Sequence, residues 1–152
     1  MTTSALRDMT AWAAQLTIDD IPDEIVTQAQ WSVLDLLGVT VAAAHDESVR
    51  ALIAAERSMD ATGPARAIVH GGHFSVPVAA RINAFASSLT ELADNVSVHA
   101  NEANIPLALA HGEREGSRGE DLLVAVVVGA EVARRRHDAY YGTKKQSPKC
   151  PI

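Results

Sequence analysis

Apolar residues recur every three or four positions along most of this chain. That period belongs to helices that bury one face. Leu6, Met9, Ala13 and Leu16 form the first stripe, with Ser4 as its expected N-cap and Trp12 at its border. The segment IDDIPDEIVTQAQWSVLDLLGVTVAAA reads as a second, longer helix. Pro22 suits its first turn, and Asp23 and Glu24 suit the positive end of its dipole. Ile25, Ala29, Val33, Leu36 and Leu37 are its expected buried face. Gly38 interrupts that run at a cost of about 1 kcal/mol relative to alanine. Close approach of another backbone is the expected reason. Val49, Leu52, Ile53, Ala55 and Met59 mark a third helix that ends near Gly63-Pro64.

One segment breaks the period. Ala67-Ile68-Val69 is strand-like and runs into the turn residues Gly71-Gly72. Ser75 and Pro77 then open a helix that reaches about Leu89. IPLALAHGERE is expected to be a further helix, opened by Asn104 and stopped by Gly116. Glu120 and Asp121 begin a last apolar helix, LLVAVVVGAEVA. Its valines favour strand by propensity, but their continuity with Glu120–Ala133 favours a buried helix. Aromatic residues are only 4% of the chain, which suits closely packed helices better than an aromatic-centred sandwich. The fold expected is all-α, with one short β excursion near residues 65–74.

With 152 residues, 47% of them hydrophobic, one domain with a true core is expected. The net charge of −6 argues against general nucleic-acid binding. Charge is uneven: Arg134 to Ile152 holds six of the 13 Lys+Arg and one of the 19 Asp+Glu, giving +5 against −11 for residues 1–133. The helical domain is therefore expected over 1–134, with a basic, irregular tail over 135–152. The lone Cys150 allows no internal disulfide and has no paired histidine for nucleophilic work. The longest uninterrupted apolar run, Leu122 to Ala130, has nine residues, so no membrane contact is expected. The first residues lack the pattern of a secretory signal, which makes the cytoplasm the expected location.

Glu91 to Pro106 reads ELADNVSVHANEANIP, a long polar stretch between apolar helices. Around it, three stretches resemble the N-terminal part of the MmgE/PrpD family. They are IPDEIVTQAQWSVLDLLGVTVAA, RAIVHGGHFSVPVAARINAFASSL and PLALAHGEREGSRGEDLLVAVVVGAEVARR. Together they cover roughly residues 5–134. The family's early active-site segment runs Asn-Gly-x-x-x-His-x-x-Asp-Phe-Asp-Asp-Thr, followed shortly by His-Pro. Here it reads NAFASSLTELADN. Asn83 and Asp94 match; Ala84, Ser88, Glu91, Leu92, Ala93 and Asn95 are replacements. His99 or Asn101 falls near the later histidine, without the His-Pro pair.

The resemblance implies a lyase that moves a proton next to a carboxylate on a small di- or tricarboxylic acid, with loss of water or carbon dioxide. It implies no metal or organic cofactor, and a homodimer. It places Glu91, Asp94 and His99 as catalytic candidates and Asn95 and Asn101 as substrate-binding candidates. Each has a bland alternative. Glu91 also suits a solvated loop carboxylate, Asp94 a helix cap, and His99 an exposed loop histidine. The family's enzymes are longer, with a second α+β domain and later lysines that this chain lacks. That leads to the expectation of a truncated lyase, inactive alone, with a frame change or truncation near residues 134–136. A natural short protein with its own tail is the alternative origin. The alternative function is a non-catalytic helical module that pairs with itself or with a longer homologue. His70-Gly-Gly-His73 reads as a turn rather than a metal site, because no third ligand lies near it in sequence.

Overall fold

The structure, a computed structural model, describes residues 2–92 and 99–141. Helix α1 spans Thr2–Gln15, α2 Asp23–Ala42 and α3 Glu47–Ser58. Short 3-10 turns at Ile18–Asp20 and Ala43–His45 join them. Strands β1 (Ala65–Arg66) and β2 (His73–Phe74) follow, then α4 (Val76–Ser88), α5 (Ala100–Glu115) and α6 (Gly119–Tyr141). The all-α reading with a single β excursion holds.

Local chemistry sets most of the boundaries. Thr17 and Asp20 cap the turn before α2: the Thr17 N–H and hydroxyl donate to Asp20 Oδ2 at 2.9 and 2.7 Å. Pro22 then sits at the N-cap of α2. Asp46 caps α3 by accepting from Ser48 N–H at 2.8 Å. Gly116 ends α5 in the left-handed conformation, where its missing Cβ avoids a steric penalty.

The core has two parts. One gathers Val49, Ile53, Phe74, Ile82 and the alanines of α4. Ala79 and Ala86 have no exposed surface, and their size lets the backbone of α4 lie close to its neighbours. The other joins Ala29 and Leu36 of α2 to Ile105 of α5 and Val126 of α6. Arg135 also lies over Trp12, 4.9 Å from the ring centroid, which ties α6 to α1.

The β hairpin pairs Ala65 with Phe74 and Arg66 with His73, antiparallel. Ala67-Ile68-Val69 is therefore the start of the turn and not the strand. Side chains of the helices take over the backbone groups there. Asn83 Oδ1 accepts from Ile68 N–H at 2.9 Å, and its Nδ2 donates to Arg66 C=O at 3.0 Å. Glu113 of α5 accepts from Arg66 N–H and Nε, both at 2.6 Å.

Several other expectations are corrected. Ser4 lies inside α1 and not at its cap. Asn104 lies inside α5, which starts at Ala100 with His99 as its N-cap. Asn104 instead donates to Val126 C=O at 2.9 Å. Leu6, Ile25 and Met59 are exposed at 62%, 37% and 65%, so the stripes of α1 and α2 are narrower than expected and Met59 falls just past α3. Among the described residues, no atom of another segment lies within 4 Å of a Cβ built on Gly38. Helix α6 runs to Tyr141, so residues 135–141 are helical and not irregular. Residues 142–152 lie outside the described ones. By length and composition alone Asp23–His45 would also pass for a membrane span, but its Ala29 and Leu36 belong to the core shared with α5 and α6.

Candidate functional site

The first turn of α5 carries most of the describable chemistry of the polar stretch. His99 stands at its N-cap, and its Nδ1 lies 3.1 Å from Oε1 of Glu102. The imidazole is 58% exposed, whereas the Glu102 side chain is only 14% exposed. A carboxylate held in this way orients an imidazole and favours the Nδ1–H tautomer. Asn101 is half-buried, and its Oδ1 is enclosed with no hydrogen-bond partner among the described residues. The turn thus carries an exposed imidazole and, two residues on, an enclosed amide oxygen.

Asn101 opens onto a cleft of about 530 Å³ between α2, the start of α5 and the second half of α6. Ala29, Val126 and Val127 form an apolar floor, while Gln28, Ser32, Glu131, Arg134, His137 and Asp138 supply polar groups. Arg134 bridges both carboxylates, at 2.9 Å to each oxygen of Glu131 and 2.7 Å to Asp138. Arg135 reaches Glu131 at 2.8 Å. The hydrogen bond from Arg134 is the main cause that lowers the Glu131 pKa, with Arg135 adding to it. The same bond raises the Arg134 pKa. Among the described residues that line the cleft, the one guanidinium is held by two carboxylates, which leaves little free positive charge there.

Of the three residues singled out from sequence that the structure describes, Asn101 lines the cleft, and His99 and Glu91 do not. His99 is next to its lining residue Ala100 and is exposed. Glu91 is exposed with φ of 49°, a left-handed conformation that strains a residue with a Cβ. Its N–H donates to Ser88 C=O at 3.2 Å, so it closes the end of α4. Asp94 and Asn95 lie outside the described residues. Sequence reasoning missed Glu102 and the Glu131–Arg134–Asp138 network. The signal was available as spacing: charges three and four residues apart share one helix face. Placing Asp138 in the irregular tail concealed it.

The comparisons with known proteins agree on one relationship. The profile of the MmgE/PrpD N-terminal domain matches residues 7–147. That match runs past residues 134–136, where the sequence reading put a break. Cis-aconitate decarboxylase of Aspergillus terreus is 28% identical over 140 residues, covering 87% of this chain and 29% of that protein. The protein of the same name from strain NIH 2624 / FGSC A1156 matches to the same extent. The chain thus spans less than a third of the length of these relatives. No solved structure matches it. Because the domain profile covers nearly the whole chain, the protein belongs to the MmgE/PrpD family.

Proposed function

We propose that this chain forms the helical wall of a lyase site for a small di- or tricarboxylic acid. The observation that carries the reading is the opening turn of α5 in a member of this family. There, His99 is oriented by Glu102, beside the enclosed Oδ1 of Asn101. In a dehydration, His99 Nε2 takes the proton alpha to a carboxylate. The C–H electrons form the double bond, and the hydroxyl departs as water after gaining a proton. In a decarboxylation, the electrons of the breaking C–C bond stay on carbon as carbon dioxide leaves, and an imidazolium at His99 protonates that carbon. Asn101, which lines the cleft, donates a hydrogen bond from its side-chain amide N–H to a carboxylate of the substrate. Glu91, Asp94 and Asn95 belong to the same reading as a second proton carrier and polar contacts.

A polyanion also needs positive charge. Arg134 is shared between two carboxylates, which supports the expectation that this chain turns over little substrate alone. Binding is therefore the better test. Cis-aconitate and citrate are expected to raise the melting temperature of the chain in proportion to the logarithm of their concentration. His99→Gln and Asn101→Ala are expected to reduce that rise by half or more. A melting temperature unmoved by either acid at high millimolar concentration would sink the reading.

A further inference from the structure

Arg134 is held firmly on one side and loosely on the other. A guanidinium has two hydrogen-bonding edges. The Nε–Nη2 edge of Arg134 is filled, since each nitrogen donates to one oxygen of Glu131 at 2.9 Å. Glu131 is gripped in turn by Arg135 at 2.8 Å, and its side chain is only 26% exposed. The Nη1–Nη2 edge meets Asp138 through Nη1 alone, at 2.7 Å, and the Asp138 side chain is 55% exposed. Order along the helix separates the two carboxylates further. Glu131 precedes its arginines by three and four residues, the favourable orientation for an acid–base pair. Asp138 follows Arg134 by four, the unfavourable one. It also lies in the last turn of α6, where the helix dipole disfavours an anion. An exposed pair so placed is weak. Asp138 has a second partner at hand: its Oδ1 is 3.6 Å from Nδ1 of His137, another residue of the cleft.

We propose that Arg134 binds substrate, and that Asp138 is an internal stand-in for one carboxylate of a small di- or tricarboxylic acid, displaced when the acid enters the cleft. The class of ligand rests on the lyase reading above. The two oxygens of an incoming carboxylate can take the Nη1–Nη2 edge together, a bidentate contact that one oxygen of Asp138 does not make. Glu131, braced by Arg135, keeps the guanidinium in place during the exchange. A second carboxylate of the same acid meets Asn101, which lines the same cleft. The cleft volume of about 530 Å³ suits a small molecule. Asp138 thereby lowers the apparent affinity by the fraction of time that it occupies the edge.

Isothermal titration calorimetry with citrate on the 152-residue chain tests the exchange. Asp138→Asn removes the competitor and is expected to tighten citrate about two- to fivefold. Arg134→Gln is expected to weaken it about tenfold or more. Glu120→Gln removes the same charge at the other end of α6 and is expected to leave the affinity unchanged. All three side chains are exposed, and wild-type circular dichroism is expected of each variant. Citrate binding that Arg134→Gln does not weaken overturns the proposal. So does Asp138→Asn binding no tighter than Glu120→Gln. His99→Gln and Asn101→Ala separate the exchange from the reading that it rests on. If those two weaken citrate while Arg134→Gln and Asp138→Asn change nothing, the lyase reading stands and the exchange is rejected. If Asp138→Asn tightens and Arg134→Gln weakens citrate while those two change nothing, the exchange stands and the lyase reading fails. Citrate that binds neither wild type nor Asp138→Asn rejects both.

Discussion

Gly129 shows how little room there is where α5 crosses α6. A Cβ at that position would overlap the side-chain amide of Asn104, which donates to Val126 C=O. Gly129→Ala must push the amide aside and leave that carbonyl short of a donor. The expected loss is about 1–3 kcal/mol of stability, read as a lower urea midpoint with an unchanged slope. Neither residue looked structural in the sequence. Asn104 resembled a helix opener, since asparagine before an apolar run is an ordinary start signal. A polar side chain that satisfies a carbonyl 22 positions away leaves no mark in local periodicity. Asn83 was concealed in the same way. It matched a position in an active-site pattern, yet here it is fully buried and holds the hairpin backbone.

At the scale of elements, the second half of α6 is held by an ion network as well as by packing. The Glu131 carboxylate is ionised more readily in the folded chain than in the unfolded one, chiefly through its hydrogen bond from Arg134. A carboxylate pKa that folding depresses adds stability above its unfolded value, and that stability is lost as pH falls through the folded value. Glu131→Gln is therefore expected to melt lower than wild type at pH 7, by about 2 °C or less for a network this exposed. The gap should close as pH drops below the ordinary glutamate value of about 4.3. A gap that persists unchanged in acid would assign the loss to packing. Helix identity was legible because α3 has a strong apolar period and the Asp46 cap, and α2 and α6 open on acidic residues that suit the helix dipole. Boundaries were less legible where tertiary partners decide them. The turn before β2 is held by α4 and α5, and α6 continues past the end of its apolar period through Arg134, Glu131 and Asp138.

For the whole molecule, the site was legible in position but not in composition. The polar stretch begins after α4, as expected, but from Ala100 it is the opening of α5, and its describable chemistry is concentrated at His99, Asn101 and Glu102. The cleft beside it draws on α2 and α6, far away in sequence, and only three-dimensional packing brings those residues together. The hairpin has a separate consequence, for the order in which the chain assembles. Its backbone groups are taken by Asn83 of α4 and Glu113 of α5, so β1, β2, α4 and α5 are mutually completed within residues 65–115. The contact between α2 and α6 closes a much longer loop, which costs more chain entropy and forms late. Pulse-labelled hydrogen exchange during refolding should protect the amides of Ile68 and Arg66 together with α4 and α5, before those of α2. If α2 and the hairpin gained protection at the same rate, assembly would be a single concerted step rather than growth from a preformed half.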